Sequence, residues 1–509
     1  MTIKVGFVKF CESSWWDDGT YARVMPADSI VVRPATELAA MVRRGEITAT
    51  ELLDHTLSRF ERHNPSINAV ILTRVERARE RAAALDAAAQ RGEFWGPLHG
   101  VPMTIKEAYD WATTPSTWGN PAWRDNAPDT DAVAVQRLEA AGAVIYGKTN
   151  VPFMLGDWQS FNEIYGTTNN PWDVTRVPGG SSGGSAAALA TGMAALELGS
   201  DIGASIRNPA HYCGVFGHKP TMSLVPYEGH VVPGMLPEVD ISVCGPMARS
   251  AADLDVALSV LAGPSGLDAT GYRVALPEAR QQRLSEFRVA VMLDTPVIAN
   301  DTVMLDQLQA CVDALAAAGC TVVEATPDID QHEYFENYLM LLRAATGAMA
   351  DDATFAAAEE AAAAWEAGDR SYQALVDHAM SMTHREWWQH HNRRAAYRGE
   401  WARFFGEYDL LLCPTAASTA YPHDHTGTRA TRTIPINGAP EPVVDQLFWA
   451  GWSCNSYLPG TTAPAGLCAD GLPAGLQIVA PHLQDRRSIR FAALMERELG
   501  GFTPPPGFE

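Results

Sequence analysis

The stretch GGSSGGSAAALATGMAALELGSDIGASIRNPA, residues 179–210, decides how the rest of the chain is read. Ser181 and Ser182 sit inside a run of glycines, a strong helix former follows, and a second loop of small residues centres on Ser205. A Gly/Ser tract can be a flexible linker. Here it runs directly into AAALATGMAALELG, and a glycine loop that opens a buried helix presents unpaired backbone N–H groups. A phosphate cradle would need G-x-x-x-x-G-K-[ST], and no lysine follows these glycines; the dinucleotide pattern G-x-G-x-x-G does not fit either. Gly179-Gly180-Ser181-Ser182-Gly183 formally satisfies G-x-S-x-G. That would make Ser181 the nucleophile of an α/β-hydrolase-type esterase with a later acid and histidine. His423, His425 and His482 could serve, but none has a telling context. The second loop shifts the weight. Small residues after Asp201 let the N–H groups of Ile202, Gly203, Ala204 and Ser205 converge on one point, as an oxyanion hole requires, with Ser205 as nucleophile. A serine hydroxyl then needs a base to take its proton.

Outward from this stretch, helix and strand patterns alternate. Apolar residues recur at helical spacing from Ala35 to about His63, broken near Gly45, and predict two helices; INAVILT reads as a strand and VERARERAAALDAAAQRGE as a solvated helix ending at Gly92. LHGVPMTIKE is a turn followed by a short apolar strand that delivers Lys106. Alternation returns over residues 305–325 and YDLLLCPTA, so the expected class is α/β around a largely covered sheet. Residues 332–407 read as wholly helical, and 416–446, rich in Gly, Pro, Thr and His, as a long loop and candidate lid. Residues 1–34, with Trp15 and Trp16, read as an N-terminal arm ahead of a single domain over 35–500.

The chain has 509 residues, 47% hydrophobic and 19% charged, which is ordinary globular usage with material for a large core. Its net charge of −22 would repel a nucleic-acid backbone. Eight cysteines are scattered without a Cys-x-x-Cys pair and read as buried thiols of a reducing, cytoplasmic compartment. No run of about 18 apolar residues predicts a membrane span, and no signal-peptide core is apparent. The histidines lack any H-E-x-x-H or comparable spacing, so no metal is expected, and a cycle run by serine hydroxyls calls for no organic cofactor.

Six blocks then carry a resemblance: GPLHGVPMTIKE, AGAVIYGKTN, YGTTNNPWD, PGGSSGGSAAALA, GSDIGASIRNPAHYCGVFGHKPT and DGLPAGLQIVAP, in that order across roughly residues 35–490. Together they resemble the amidase signature family of serine hydrolases. The resemblance implies one α/β domain around a large twisted mixed sheet with helices on both faces, and a Ser–cis-Ser–Lys catalytic set. Ser205 matches the nucleophile, Ser181 the bridging serine on a cis peptide after Gly180, and Lys106 the base. Ser182, Asp201 and Arg207 match supporting positions. Five positions depart from the usual pattern: Ala204 stands where glycine is commoner, Glu107 replaces an aspartate, and Asn208, His211 and Tyr212 replace small or apolar residues.

The family also implies where the substrate lies. The segment after K-T-N, with Phe153, Met154, Leu155, Gly156 and Trp158, is expected to line the acyl site, joined by Trp449 and Trp452. These aromatics point to a bulky apolar partner such as an aryl amide, oligoamide or carbamate. The expected activity is amide hydrolysis on a small molecule, with ester or urethane cleavage as a side activity, by a monomer or homodimer. The rival within the family is the glutaminase A-subunit of a tRNA-dependent amidotransferase. That branch usually continues K-T-N as M-D-E-F, where this chain has Val151-Pro152-Phe153-Met154.

Overall fold

A computed structural model of the chain describes residues 27–366 and 368–509. Most of the expected arm, including Trp15, Trp16 and Cys11, thus lies outside the described residues. Its last part forms a 3-10 turn, Ala27–Val32. The buried Arg249 guanidinium ties this end to the body by donating to the carbonyls of Val31, Val32 and Arg33 at 2.8–2.9 Å.

Eleven strands form one mixed sheet. In chain order they are β1 (Val70–Thr73), β2 (Pro102–Lys106), β3 (Val144–Thr149), β4 (Leu196–Asp201), β5 (Phe216–Lys219), β6 (Val243–Ala248), β7 (Arg288–Val291), β8 (Thr321–Glu324), β9 (Leu410–Pro414), β10 (Gly460–Leu467) and β11 (Pro473–Val479). Across the sheet they lie β1-β3-β2-β4-β6-β5-β10-β11-β9-β7-β8. Pairing is parallel for β3-β2-β4 and β9-β7-β8 and antiparallel elsewhere. The expected α/β class with a large mixed sheet is the class observed. Central strands such as β2 and β4 are buried along their whole length, including the polar residues that end them at one edge.

One core packs Leu38, Met103, Ile105, Leu198, Leu254, Leu412 and Phe491. A second is aromatic and gathers Tyr338, Trp401, Phe448, Trp449 and Trp452. Four helices occupy the Ala-, Glu- and aromatic-rich stretch: Gln331–Gly347, Asp352–Ala363, Tyr372–Ser381 and His384–Phe404. The last begins with a capping box, in which Thr383 and Glu386 satisfy each other's backbone N–H. The expectation of a long loop over 416–446 needs correction in its second half. A hairpin pairs Thr433–Ile436 with Ala439–Pro442, and a 3-10 turn follows at Val443–Gln446. The cause is the Asn437-Gly438 turn, with φ of 52° and 81°, the conformation that a two-residue hairpin requires and that Asn-Gly adopts readily. Among the described residues no helix is long and apolar enough to cross a membrane.

Candidate active site

Parallel pairing of β2 with β4 sets Ile105 opposite Leu198, so both strands end at the same edge of the sheet. Ligands of α/β sheets bind outside such carboxyl ends. Lys106 closes β2, and Ser200 and Asp201 close β4. The glycine loop then runs into the helix Gly183–Ala190, whose residues are all buried. That burial on every side explains its Ala-rich composition, since no face needs polar residues.

Lys106 is fully buried, and its Nζ donates to Ser181 Oγ at 2.7 Å and to Ser200 Oγ at 2.9 Å. Burial in this apolar setting lowers its pKa from 10.5 to about 7, against the opposing pull of Asp201 and Cys244. The Gly180–Ser181 peptide is cis. The Ser182 N–H donates to the Ser205 carbonyl at 3.1 Å, which fastens the glycine loop to the second serine loop. Ser205 is 7% exposed, and among the described residues its hydroxyl makes no hydrogen bond. Among the described residues no histidine hydrogen-bonds to the side chain of either serine: His423 and His425 pair as aromatic rings, and His482 meets the Tyr457 carbonyl.

Asp201 organises the loop. Its carboxylate accepts from the N–H groups of Ala204 (2.9 Å), Ile206 (3.1 Å) and Arg207 (3.3 Å), and from the Arg207 guanidinium at 2.8 and 3.0 Å. Burial alone would raise this carboxyl, yet the Arg207 charge and these donors hold it below the usual range. One expectation is corrected here: the Ala204 N–H turns toward Asp201 and is not free for an oxyanion. The N–H groups of Ile202, Gly203 and Ser205 make no such bond. Their orientation is fixed from outside, because the Ile202 carbonyl accepts from Tyr338 Oη (2.8 Å) and the Gly203 carbonyl from Trp158 Nε1 (3.0 Å). Ala204 pays for its place with φ 69°, a left-handed conformation in which alanine is strained by roughly 1–3 kcal/mol.

Two substitutions probe this scaffold. Asp201→Asn leaves the buried Arg207 without its counter-charge. Breaking such a pair costs about 3–5 kcal/mol, so the denaturation midpoint should fall sharply, whereas a shift within one degree would contradict the organising role. A Cβ on Gly180 would overlap the Asp157 carbonyl oxygen and approach Trp158 Cα to 2.9 Å. Gly180→Ala should therefore cost about 1–3 kcal/mol in chemical denaturation.

The amidase model, by its description, matches residues 51–489, most of the chain. The chain belongs to the amidase family. It is 33% identical over 475 residues to an acylamidase of Rhodococcus erythropolis, spanning 91% of this chain and 94% of that one. To the A-subunit of the glutamyl-tRNA(Gln) amidotransferase of Salinispora tropica it is 31% identical over 498 residues, spanning 92% and 98%. The solved structure of a bacterial aryl acylamidase of the amidase signature family superposes with a TM-score of 0.78 at 24% identity, covering 93% of this chain and 98% of that one, a likeness of fold.

Within this amidase the residues expected to bind substrate separate into two groups. Met154 and Leu155 pack on the cluster of Ala108, Trp118 and Val232, Phe153 is 55% exposed, and Gly156 accepts through its carbonyl from Arg429. Trp158 meets the Ser205 loop by donating to the Gly203 carbonyl. Trp449 and Trp452 correct the expectation: both are sealed in the aromatic core, Trp449 donating to Asn300 Oδ1 (2.8 Å) and Trp452 stacked on Tyr334. Sequence reasoning missed Ser200, an unremarkable serine inside a strand, and Tyr338 on the helix Gln331–Gly347. It also missed His230, stacked on Tyr109 (4.3 Å) and Trp118 (5.1 Å). Burial first and the Lys106 charge second push His230 down to about 3, so it stays neutral beside the lysine. Among the described residues no cluster of three or more His, Cys, Asp or Glu side chains could hold a metal ion.

Proposed function

We propose that this protein hydrolyses the C–N bond of a small carboxylic amide through a covalent acyl-enzyme on Ser205. Lys106, neutral in its buried site, takes the Ser181 proton as Ser181 takes that of Ser205. The Ser205 Oγ attacks the carbonyl carbon, and the N–H groups of Ile202, Gly203 and Ser205 stabilise the oxyanion. The proton returns through Ser181 to the leaving amine, the C–N bond breaks, and water releases the acid. The observation that carries this reading is the 2.7 Å contact of a buried lysine, with a pKa near 7, to the Ser181 hydroxyl. Met154, Leu155 and Trp118 supply an apolar wall that suits an aryl or long-chain group. Esters and carbamates present the same carbonyl and fit the same cycle.

The seven described cysteines are buried and unpaired, which suits a cytoplasmic enzyme. The amidotransferase reading has support in the 31% identity to that A-subunit, and one assay separates the two. The purified chain alone, offered anilides, aliphatic amides, 4-nitrophenyl esters and carbamates, should turn over simple amides. Hydrolysis restricted to glutamine and dependent on a second protein would favour the rival.

A further inference from the structure

The helix Gln331–Gly347 runs along one side of the candidate site. Its Tyr338 hydroxyl holds the Ile202 carbonyl, and Met349, just past its end, packs on the cluster of Trp118, Val232, Met154 and Leu155. Arg343 lies between these two contacts. It is 6% exposed, and among the described residues no carboxylate pairs with it. Its Nε is buried without a hydrogen-bond partner. The guanidinium sits 5.5 Å from the ring centroid of Tyr372, whose buried hydroxyl has only a loose contact with this guanidinium. A second guanidinium, that of Arg429, lies near enough for its charge to act on Arg343. Arg429 donates through Nη1 to the Gly156 carbonyl, and its Nε is also buried without a partner. Burial first, and the Arg429 charge second, push Arg343 down to about 10.

This arrangement is costly as it stands. A buried donor left unsatisfied costs about 1–3 kcal/mol, and buried charges are ordinarily paired. Stacking on Tyr372 accounts for part of the Arg343 environment, but it leaves Nε unsatisfied and gives no reason for a second cation beside the first. An anion would satisfy both Nε donors and both charges, and a guanidinium fork matches a carboxylate in shape as well as charge. The position is next to Gly156, in the segment that the family resemblance assigns to the acyl side.

We propose that Arg343, Arg429 and Tyr372 bind a carboxylate on the acyl half of the substrate, so that the enzyme prefers monoamides of dicarboxylic acids. This rests on the amidase reading and names its substrate class. The test pairs 4-nitroanilides of equal acyl length: succinyl with butyryl, glutaryl with pentanoyl, adipyl with hexanoyl. The best carboxylate-bearing anilide should exceed its neutral partner by about tenfold or more in kcat/KM, mainly through KM. Arg343→Gln should bring that ratio near one, and Arg343→Lys should keep part of it. Equal rates within the pairs, or an unchanged ratio in Arg343→Gln, would overturn the site while leaving amide hydrolysis intact.

Two measurements guard against other outcomes. If Arg343→Gln does not fold, free glutarate should compete with pentanoyl anilide on the wild-type enzyme where neutral glutaramide does not; absence of competition overturns the site. If no anilide is turned over, the amidase reading is what fails. Calorimetric titration of the wild-type protein with glutarate then decides the anion site alone, heat of binding supporting it and none refuting it.

Discussion

Replacing Ser205 by alanine is expected to lower kcat on any amide substrate by about 10⁴-fold or more, with little change in stability. Knocking out the nucleophile of a hydrolase that works through an acyl-enzyme removes the whole covalent route, and residual rate comes only from the remaining oxyanion donors and binding. Stability should hold because the Ser205 hydroxyl makes no hydrogen bond among the described residues, so its loss strands no buried partner. The loop around it is held by backbone and carboxylate contacts that alanine leaves in place: Ser182 N–H to the Ser205 carbonyl, and Asp201 to Ala204, Ile206 and Arg207. A thermal midpoint close to wild type together with lost turnover is therefore the expected pair of results. The same protein treated with a sulfonyl fluoride or phosphonate should carry one label, on Ser205. A label on Ser181 would instead support the G-x-S-x-G esterase reading and end the scheme.

The extent to which the sequence revealed this site follows from the kind of interaction involved. Lys106 was readable through the family resemblance of its block, GPLHGVPMTIKE, since a lone lysine at the end of a strand reads first as a surface residue; the fold buries the whole strand. Ser181 and Ser205 were readable because glycine and small residues cluster where backbone N–H groups must lie open. The direction of a particular N–H was not readable. Ala204 looks like an oxyanion donor from its neighbours, but its N–H is claimed by a side chain three residues earlier, and only the folded loop shows this.

Apolar residues are harder still. Trp158, Trp449 and Trp452 are alike in sequence, yet one fixes the Gly203 carbonyl and the other two fill the aromatic core. Burial in a core and contact with an apolar ligand select the same side chains, so composition alone cannot separate them. Arg343 reads in sequence as one basic residue in a helix. Its significance depends on Tyr372 and Arg429, which lie 29 and 86 positions away and meet it only in three dimensions. The hairpin at Asn437-Gly438 is the opposite case, a local signal that was present in the chain and outweighed by the surrounding Gly, Pro and Thr.

The second large effect concerns pH. If neutral Lys106 is the base, kcat/KM should rise about tenfold per pH unit below 7 and level off above it, because burial brings this lysine from 10.5 down to about 7. Lys106→Arg should abolish activity at every pH up to 10, since a guanidinium does not release its proton in that range. Lys106→Met should abolish it as well, and here stability gives an independent reading. The unfolded chain holds the lysine proton up to about pH 10, while the folded chain releases it near 7, so between those values the unfolded state binds the extra proton and stability from this group rises with pH. Below about 7 the fold must accommodate a buried charge, at a cost on the order of 5 kcal/mol relative to strongly alkaline pH. Lys106→Met removes that cost. Its gain in denaturation midpoint over wild type should therefore be largest near pH 6 and shrink toward pH 10. A gain independent of pH, or a wild-type rate profile flat from pH 6 to 9, would show that Lys106 keeps its proton in the folded enzyme and is not the base.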